Sequence, residues 1–255
     1  MTTRLICVIP DAQVKPGVNI DHLRAAGNLI VAKKPEVIVC LGDFADLPSL
    51  SSYDKGRKAA ENRRIHKDLA AATEAMNALL APIEAYNAEH PRAKYKPRKI
   101  LTLGNHEDRM RRAAEDNPEL DGLLPDMGMF YETFGWEVYP YMDTVEVSGV
   151  VFSHFLTSGA MGRPIGTAAA ILSKKHQSAV VGHQQGRQIH DAVRANGKRM
   201  CAIIAGSFYS HKEDYLGPQG NRHWRGMLLL HDVRDGEFIE QFYTLGHLIH
   251  KYGSK

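Results

Sequence analysis

Short apolar runs alternate along the chain with stretches whose apolar residues recur at helical spacing. The β-branched run Arg4–Ile9 predicts a strand. Asn19 then stands as a candidate N-cap for a helix that places Ile20, Leu23, Ala26 and Ile30 on one side. Residues 36–41 form an apolar run after the opening Glu36, the kind buried on both faces of a parallel sheet, so the opening predicts a βαβ unit. An alanine-rich stretch, 57–89, sets Leu69, Ala72, Met76, Leu79, Leu80 and Ile83 opposite its charges, and predicts a long amphipathic helix with a break at Pro82. A basic loop, 92–99, leads into a strand at 99–103, and 107–134 reads as helix interrupted near Pro125 and Gly128.

Beyond Trp136 the pattern turns to strands. Residues 144–147 and 150–153 flank Ser148-Gly149 as a hairpin. A helix is expected at 165–176 and strands at 179–181, 187–193, 200–204, 226–231 and 237–243, the last two joined at Asp235-Gly236. No repeat, low-complexity segment or linker interrupts the series, so one domain spanning 1–255 is expected. The expected class is α/β, with two facing mixed β-sheets (a β-sandwich) flanked by α-helices, an α/β half preceding a β-richer half.

Composition narrows the class. Apolar residues make up 44% of the chain and charged residues 24%, which supports a packed core and argues against disorder. Cys7, Cys40 and Cys201 lie in apolar strand runs without CxxC spacing, so they read as buried reduced thiols, in keeping with a cytoplasmic location. The run at 5–9 is too short for a secretion signal, and no run approaches the roughly 20 apolar residues of a membrane span. A net charge of +3 permits an anionic substrate such as a nucleotide or nucleic acid without requiring one. Thirteen histidines direct attention to a metal or acid–base site.

Five polar clusters each follow an apolar strand: Asp11-Ala12-Gln13, Gly42-Asp43-Phe44-Ala45-Asp46, Gly104-Asn105-His106-Glu107, Ser153-His154 and Gly182-His183-Gln184-Gln185. Taken singly, each suits a turn, a helix cap or an ordinary hydrogen-bonding histidine. Together they deliver Asp, Asn and His to strand ends, where ligand sites of α/β sheets gather. In this order the clusters resemble the metal-binding motifs of the calcineurin-like metallophosphoesterases: DxH, GDxxD, GNH[DE], a lone His and GHxH. The resemblance spans 11–185, and Gly206-Ser207 resembles the GS that follows.

The resemblance implies hydrolysis of phosphoesters by two divalent ions held about 3.5–4 Å apart. Asp43 would bridge them, Asp11 would bind the first, and Asn105, His154 and His183 would complete the second. His106 would be the general acid and Asp46 its orienting carboxylate. Gln13 and Gln185 stand where the family has histidine, both at the first position. An amide oxygen is a weaker donor than imidazole, which favours Mn2+ (or Mg2+) over Zn2+, with Ni2+ and Fe as further candidates. Glutamine also occurs at the first of these places in the manganese-dependent ADP-ribose/CDP-alcohol diphosphatases. His190, five residues past Gln185 on a strand, is poorly placed to substitute.

Substrate choice is less legible. Basic clusters at Lys55-Gly56-Arg57-Lys58 and Arg63-Arg64 read as solvated faces, whereas Arg109, close behind His106, could equally contact a substrate phosphate. Phe208, Tyr209, His211, Tyr215, His223 and Trp224 could stack a base, pack a surface loop or form a dimer contact. The segments Pro10-Asp11-Ala12-Gln13-Val14-Lys15-Pro16 and Leu47-Pro48-Ser49-Leu50-Ser51-Ser52-Tyr53 also resemble metallophosphoesterases encoded by tailed bacteriophages, which implies a role in host cytoplasm. Three readings stand: a phosphodiesterase or nuclease acting on nucleotides or nucleic acid, a phosphomonoesterase or protein phosphatase, and a non-enzymatic module with a disabled first position. Oligomeric state is not fixed.

Overall fold

In the computed structural model, which describes residues 4–52, 56, 61–213 and 216–253, the apolar runs become strands. Strands β1 (Arg4–Ile9), β2 (Val37–Cys40), β3 (Arg98–Thr102) and β4 (Glu137–Tyr139) alternate with helices α1 (Asp21–Lys33), α2 (Ile65–Glu89), α3 (Arg109–Asp116) and α4 (Met127–Glu132). There follow β5 (Val145–Val147), β6 (Val150–Ser153), α5 (Ala168–Lys175), β7 (Ala179–Val181), β8 (Gln188–Val193) and β9 (Arg199–Ile204). A short α6 (Gly217–Gly220), β10 (Gly226–Arg234), β11 (Glu237–Thr244) and α7 (Leu245–Tyr252) complete the described chain. No helix among the described residues is long and apolar enough to cross a membrane.

Two mixed sheets result, a six-stranded one in the order β11-β10-β1-β2-β3-β4 and a five-stranded one in the order β5-β6-β7-β9-β8. Strands β1 to β4 are parallel, and β10 joins β1 antiparallel. Successive strand side chains point to opposite faces, and the burial divides accordingly. Cys7, Ile9, Ile38 and Cys40 pack with Leu23, Ala26, Met76 and Leu248 from the helices. Their neighbours Ile6, Val8, Val37 and Val39 share a second cluster with Val147, Phe152, Val180 and Ile203 of the other sheet. Helix α5 covers the far side of that sheet through Ile171 and Leu172. The three cysteines are buried and free.

The structure corrects several expectations. The long helix starts at Ile65 and runs unbroken through Pro82, while residues 57–60 of the predicted span lie outside the described residues. A Cβ at Gly27 would stand 2.4 Å from the Leu79 carbonyl oxygen and 2.8 Å from Pro82 Cγ, so α1 lies directly on α2 at the proline. That packing outweighs the roughly 3 kcal/mol that an interior proline costs a free helix. Residues 107–134 divide into α3, a 3-10 turn at Pro118–Leu120, and α4. The two halves are not consecutive either: β10 and β11 return to the first sheet, so the residues after Gln185 are shared between the sheets. Ile20, not Asn19, stands at the cap of α1, and Asn19 accepts from the Asp21 backbone N–H instead.

Helix α1 buries His22 edge-on against Phe208, with ring centroids 4.9 Å apart. Burial lowers its pKa to about 4 from 6.5. Between these values the unfolded chain binds a proton that the folded chain refuses, so stability is lost as pH falls below about 6.5. From pH 7 to pH 5 the loss should be about 2 kcal/mol, an order-of-magnitude figure. Urea denaturation at both pH values should show His22→Leu losing less by that amount. An equal acid loss in the two proteins would contradict this account of His22.

Candidate metal centre

The site forms where β1, β2 and β3 of one sheet and β6 and β7 of the other end. Asp11 follows β1, Asp43 follows β2, Asn105 and His106 follow β3, His154 follows β6 and His183 follows β7. Three of the sharp turns place non-glycine residues at positive φ: Gln13 at 43°, Asp43 at 46° and His183 at 66°. Such backbone is held only where surrounding contacts over-determine it, and it clusters at functional sites. Two glycines make room for carboxylates. A Cβ at Gly104 would meet Asp43 Oδ1 at 2.1 Å, and one at Gly182 would meet Asp11 Oδ1 at 2.3 Å.

Asp43, Asn105, His154 and His183 converge. The His154 Nδ1–H donates to the Leu41 carbonyl oxygen at 2.8 Å, an atom that can only accept, so Nε2 faces the cluster. Around Nε2 stand Asn105 Oδ1 at 3.0 Å, His183 Nδ1 at 3.3 Å and Asp43 Oδ2 at 3.4 Å. Asn105 Oδ1 is also 2.8 Å from His183 Nδ1. The ligand atoms of Asp43, His154 and His183 all lie within 4.8 Å of one another. More acceptors meet there than there is positive charge to satisfy them. Burial disfavours a proton on His154, yet the Asp43 carboxylate outweighs it and lifts the ring's pKa to about 9. Burial and His154 together lower His183 to about 4. Asp43 itself is held well below the usual carboxylate range, because His106 and His154 overcome its burial. A convergent set of one carboxylate, one amide oxygen and two imidazoles fits a divalent transition ion.

The first position is built differently. Asp11 is fully buried; its Oδ1 accepts from the His183 backbone N–H at 3.1 Å, and its Oδ2 has no hydrogen-bond partner. Burial raises its pKa, since a carboxylate removed from water loses solvation that no nearby charge fully replaces. Gln13 is buried beside it in sequence, with its backbone N–H on the Asp43 carbonyl at 2.8 Å. Gln185 Oε1 accepts from the buried Tyr209 hydroxyl at 2.7 Å. Asp11 Oδ2 could therefore take a cation, whereas Gln185 is already engaged by Tyr209. His190 is exposed in β8.

His106 lies at the edge of this cluster. Its Nδ1 is 2.8 Å from Asp46 Oδ1 and its Nε2 is 3.6 Å from Asp43 Oδ2. Burial opposes a proton on the ring, but Asp43 and Asp46 outweigh it and raise its pKa. Asp46 falls to about 2, since His106, Arg109 and Lys15 together overcome its burial. The Arg109 guanidinium donates to the Asp46 backbone carbonyl and lies 3.2 Å from Asp46 Oδ1, which commits it to this turn. Lys15 sits 3.6 Å from Asp46 Oδ2 and 2.6 Å from Glu213 Oε1, and Glu213 pairs with His211 at 2.7 Å. Trp224 packs against Gly206 and Gly226, with the Arg187 guanidinium 4.8 Å above its ring. Lys55, Arg57, Lys58, Tyr53 and Tyr215 lie outside the described residues.

Sequence reasoning assigned no task to Glu107, although it stands in the Gly104-Asn105-His106-Glu107 cluster. Its fully buried carboxylate accepts from the backbone N–H groups of Asp43 (2.9 Å), Ala45 (3.1 Å) and Gly104 (3.0 Å) and from the Tyr131 hydroxyl (3.0 Å). It ties the β2 and β3 turns together. An acidic residue straight after two ligand candidates was the available signal, but its partners are backbone groups that no side-chain pattern displays.

No family model and no curated protein matches the chain. Among solved structures, the chain is similar to a conserved uncharacterized protein (predicted phosphoesterase) from Streptococcus pneumoniae TIGR4. The match covers 97% of this chain and 92% of that one at 11% identity, with a TM-score of 0.39, a likeness that says nothing about activity.

Glu107→Gln turns one acceptor oxygen into a donor facing backbone N–H groups. It should cost about 2–4 kcal/mol of stability and weaken Mn2+ binding, because Asp43 loses its anchor. Urea denaturation and calorimetric titration with Mn2+ measure both. Unchanged stability with unchanged Mn2+ affinity would contradict the clamp.

Proposed function

We propose that the chain is a metal-dependent phosphoesterase with a binuclear centre, in one domain whose two sheets face each other as a β-sandwich. The observation that supports this best is the placing of a partly buried imidazole, His106, between Asp46 and the cluster around Asp43. Asp43, Asn105, His154 and His183 would hold one ion, and Asp11, Gln13, Asp43 and Gln185 the other, with Mn2+ favoured by the amide donors. Bound divalent ions would neutralise phosphate oxygens and lower the pKa of an attacking water.

The chain's own residues supply the rest. Asp46 Oδ1, 2.8 Å from His106 Nδ1, would pair with the charged ring and leave Nε2 towards the cluster. His106 first, then Arg109 and Lys15, hold Asp46 ionised against its burial, so that it stabilises the charged ring. From Nε2 the proton passes to the departing oxygen, which matters most for poor leaving groups such as a sugar alkoxide.

The substrate class that fits the mildly basic chain is a phosphodiester in nucleotides or nucleic acid, in the cytoplasm. A phosphomonoesterase or protein phosphatase is the second reading; the acidic residues lining the cleft beside α3 and α4 suit basic side chains of a protein substrate rather than a nucleic acid. The test is turnover of bis-p-nitrophenyl phosphate and p-nitrophenyl phosphate by chelator-stripped protein titrated with Mn2+, Mg2+, Zn2+ and Ni2+. Mn2+-dependent turnover should vanish in Asp43→Ala. In His106→Ala it should fall about 10²–10⁴-fold on poor leaving groups with metal content unchanged. No turnover with any ion would overturn the proposal, and the preferred ester decides between the two readings.

A further inference from the structure

A groove of about 1110 Å³ opens beside the ligand cluster, walled by α3, the turn at 118–120, α4 and the segment 138–142. It is larger than the roughly 300–1,000 Å³ typical of small-molecule sites. Its floor is apolar and includes Leu103, Met110, Leu120, Leu124 and Val138. Its lips carry Met129, 68% exposed, and Met142, 41% exposed, and Leu123 on the adjoining turn is 75% exposed. Large apolar side chains left in water at one place mark a contact surface, and methionine adapts to varied apolar partners.

The charge around the groove is one-sided. Among the described residues, Arg111 is the one basic residue lining it, and it pairs with Asp108 at 2.7 Å and with Glu115. Asp121, Asp126 and Glu132 add negative charge for which the lining holds no further cation. A nucleic acid would meet repulsion here, since its phosphates need Lys and Arg. A second copy docking groove to groove would set the same carboxylates against one another, because a two-fold interface pairs a patch with itself.

We infer that this groove docks a basic amphipathic segment of a partner protein. Its apolar side chains fill the groove between Met129 and Met142, and its lysine or arginine side chains face Asp121, Asp126 and Glu132. The inference stands apart from the hydrolytic reading, because binding is measured without turnover. A recurring solution of this kind lays an apolar peptide face into a hydrophobic groove.

Fluorescence anisotropy with the full chain tests it. The probes are a labelled peptide of leucine and lysine at helical spacing, a matched peptide with glutamate for lysine, and a single-stranded oligonucleotide. The leucine–lysine peptide should bind saturably and at least about tenfold more tightly than the glutamate peptide. Met129→Glu, and separately the pair Asp121→Lys with Glu132→Lys, should each weaken it at least about tenfold. All three positions are exposed, so the fold should survive, and an unchanged denaturation midpoint checks this. The inference is overturned by absence of saturable binding, by equal binding of the glutamate peptide, by preference for the oligonucleotide, or by variants that bind like the parent. Self-association in light scattering that Met129→Glu abolishes would overturn it in favour of a second copy.

Discussion

Asp43 is 1% exposed, and His106 and His154 both approach its Oδ2 within 3.6 Å. Removing a carboxylate from water costs several kcal/mol unless charge and hydrogen bonds replace the solvent. Much of the local structure follows from that requirement. The residue takes a left-handed backbone, Glu107 fixes its N–H, Gly104 leaves space for its Oδ1, and the His106 N–H donates to that oxygen. The two sheets bring their strand ends to the same place, one supplying carboxylates and an amide, the other histidines. A cation at this point would satisfy the whole set at once, which is why the raised pKa of His154 and the metal reading rest on the same excess of acceptors.

In the proposed centre the two positions would be unequal for chemical reasons. One gathers two imidazoles, an amide and Asp43, while the other relies on carboxylates and amides, with Gln185 already bonded to Tyr209. Affinity should therefore differ between them, and ion identity with it. Around the rim, polar contacts run from Asp46 through Lys15 and Glu213 to His211, whose ring stacks on Tyr209 at 4.5 Å. The segment around residue 209 is thus linked both to Asp46 beside His106 and, through Gln185, to the turn after β7.

Much of this was legible in the sequence because strand ends carry short polar clusters after apolar runs, and period-two burial places them at one sheet edge. Asp43, Asn105, His154 and His183 could be picked out from those clusters, and the structure brings the four together. Arg109 shows the limit of such reasoning. Its position near His106 suggested substrate contact, yet its guanidinium serves the Asp46 turn, and which partner a long side chain takes depends on folding. Glu107 went unassigned because most of its partners are backbone groups, and the bond from Tyr209 to Gln185, 24 residues away, shows in no local pattern. Pro82 misled because packing on Gly27 overrides a local propensity, and β4 escaped notice because three half-polar residues make no pattern. The return of β10 to β1 is a long-range pairing, which no local window contains.

The most direct test of the central claim is anomalous diffraction from crystals grown with Mn2+. The account predicts two peaks flanking Asp43, the stronger among Asp43, Asn105, His154 and His183 and the weaker beside Asp11. Absence of any peak at Asp43 in fully loaded crystals, or manganese bound only elsewhere on the chain, would contradict it.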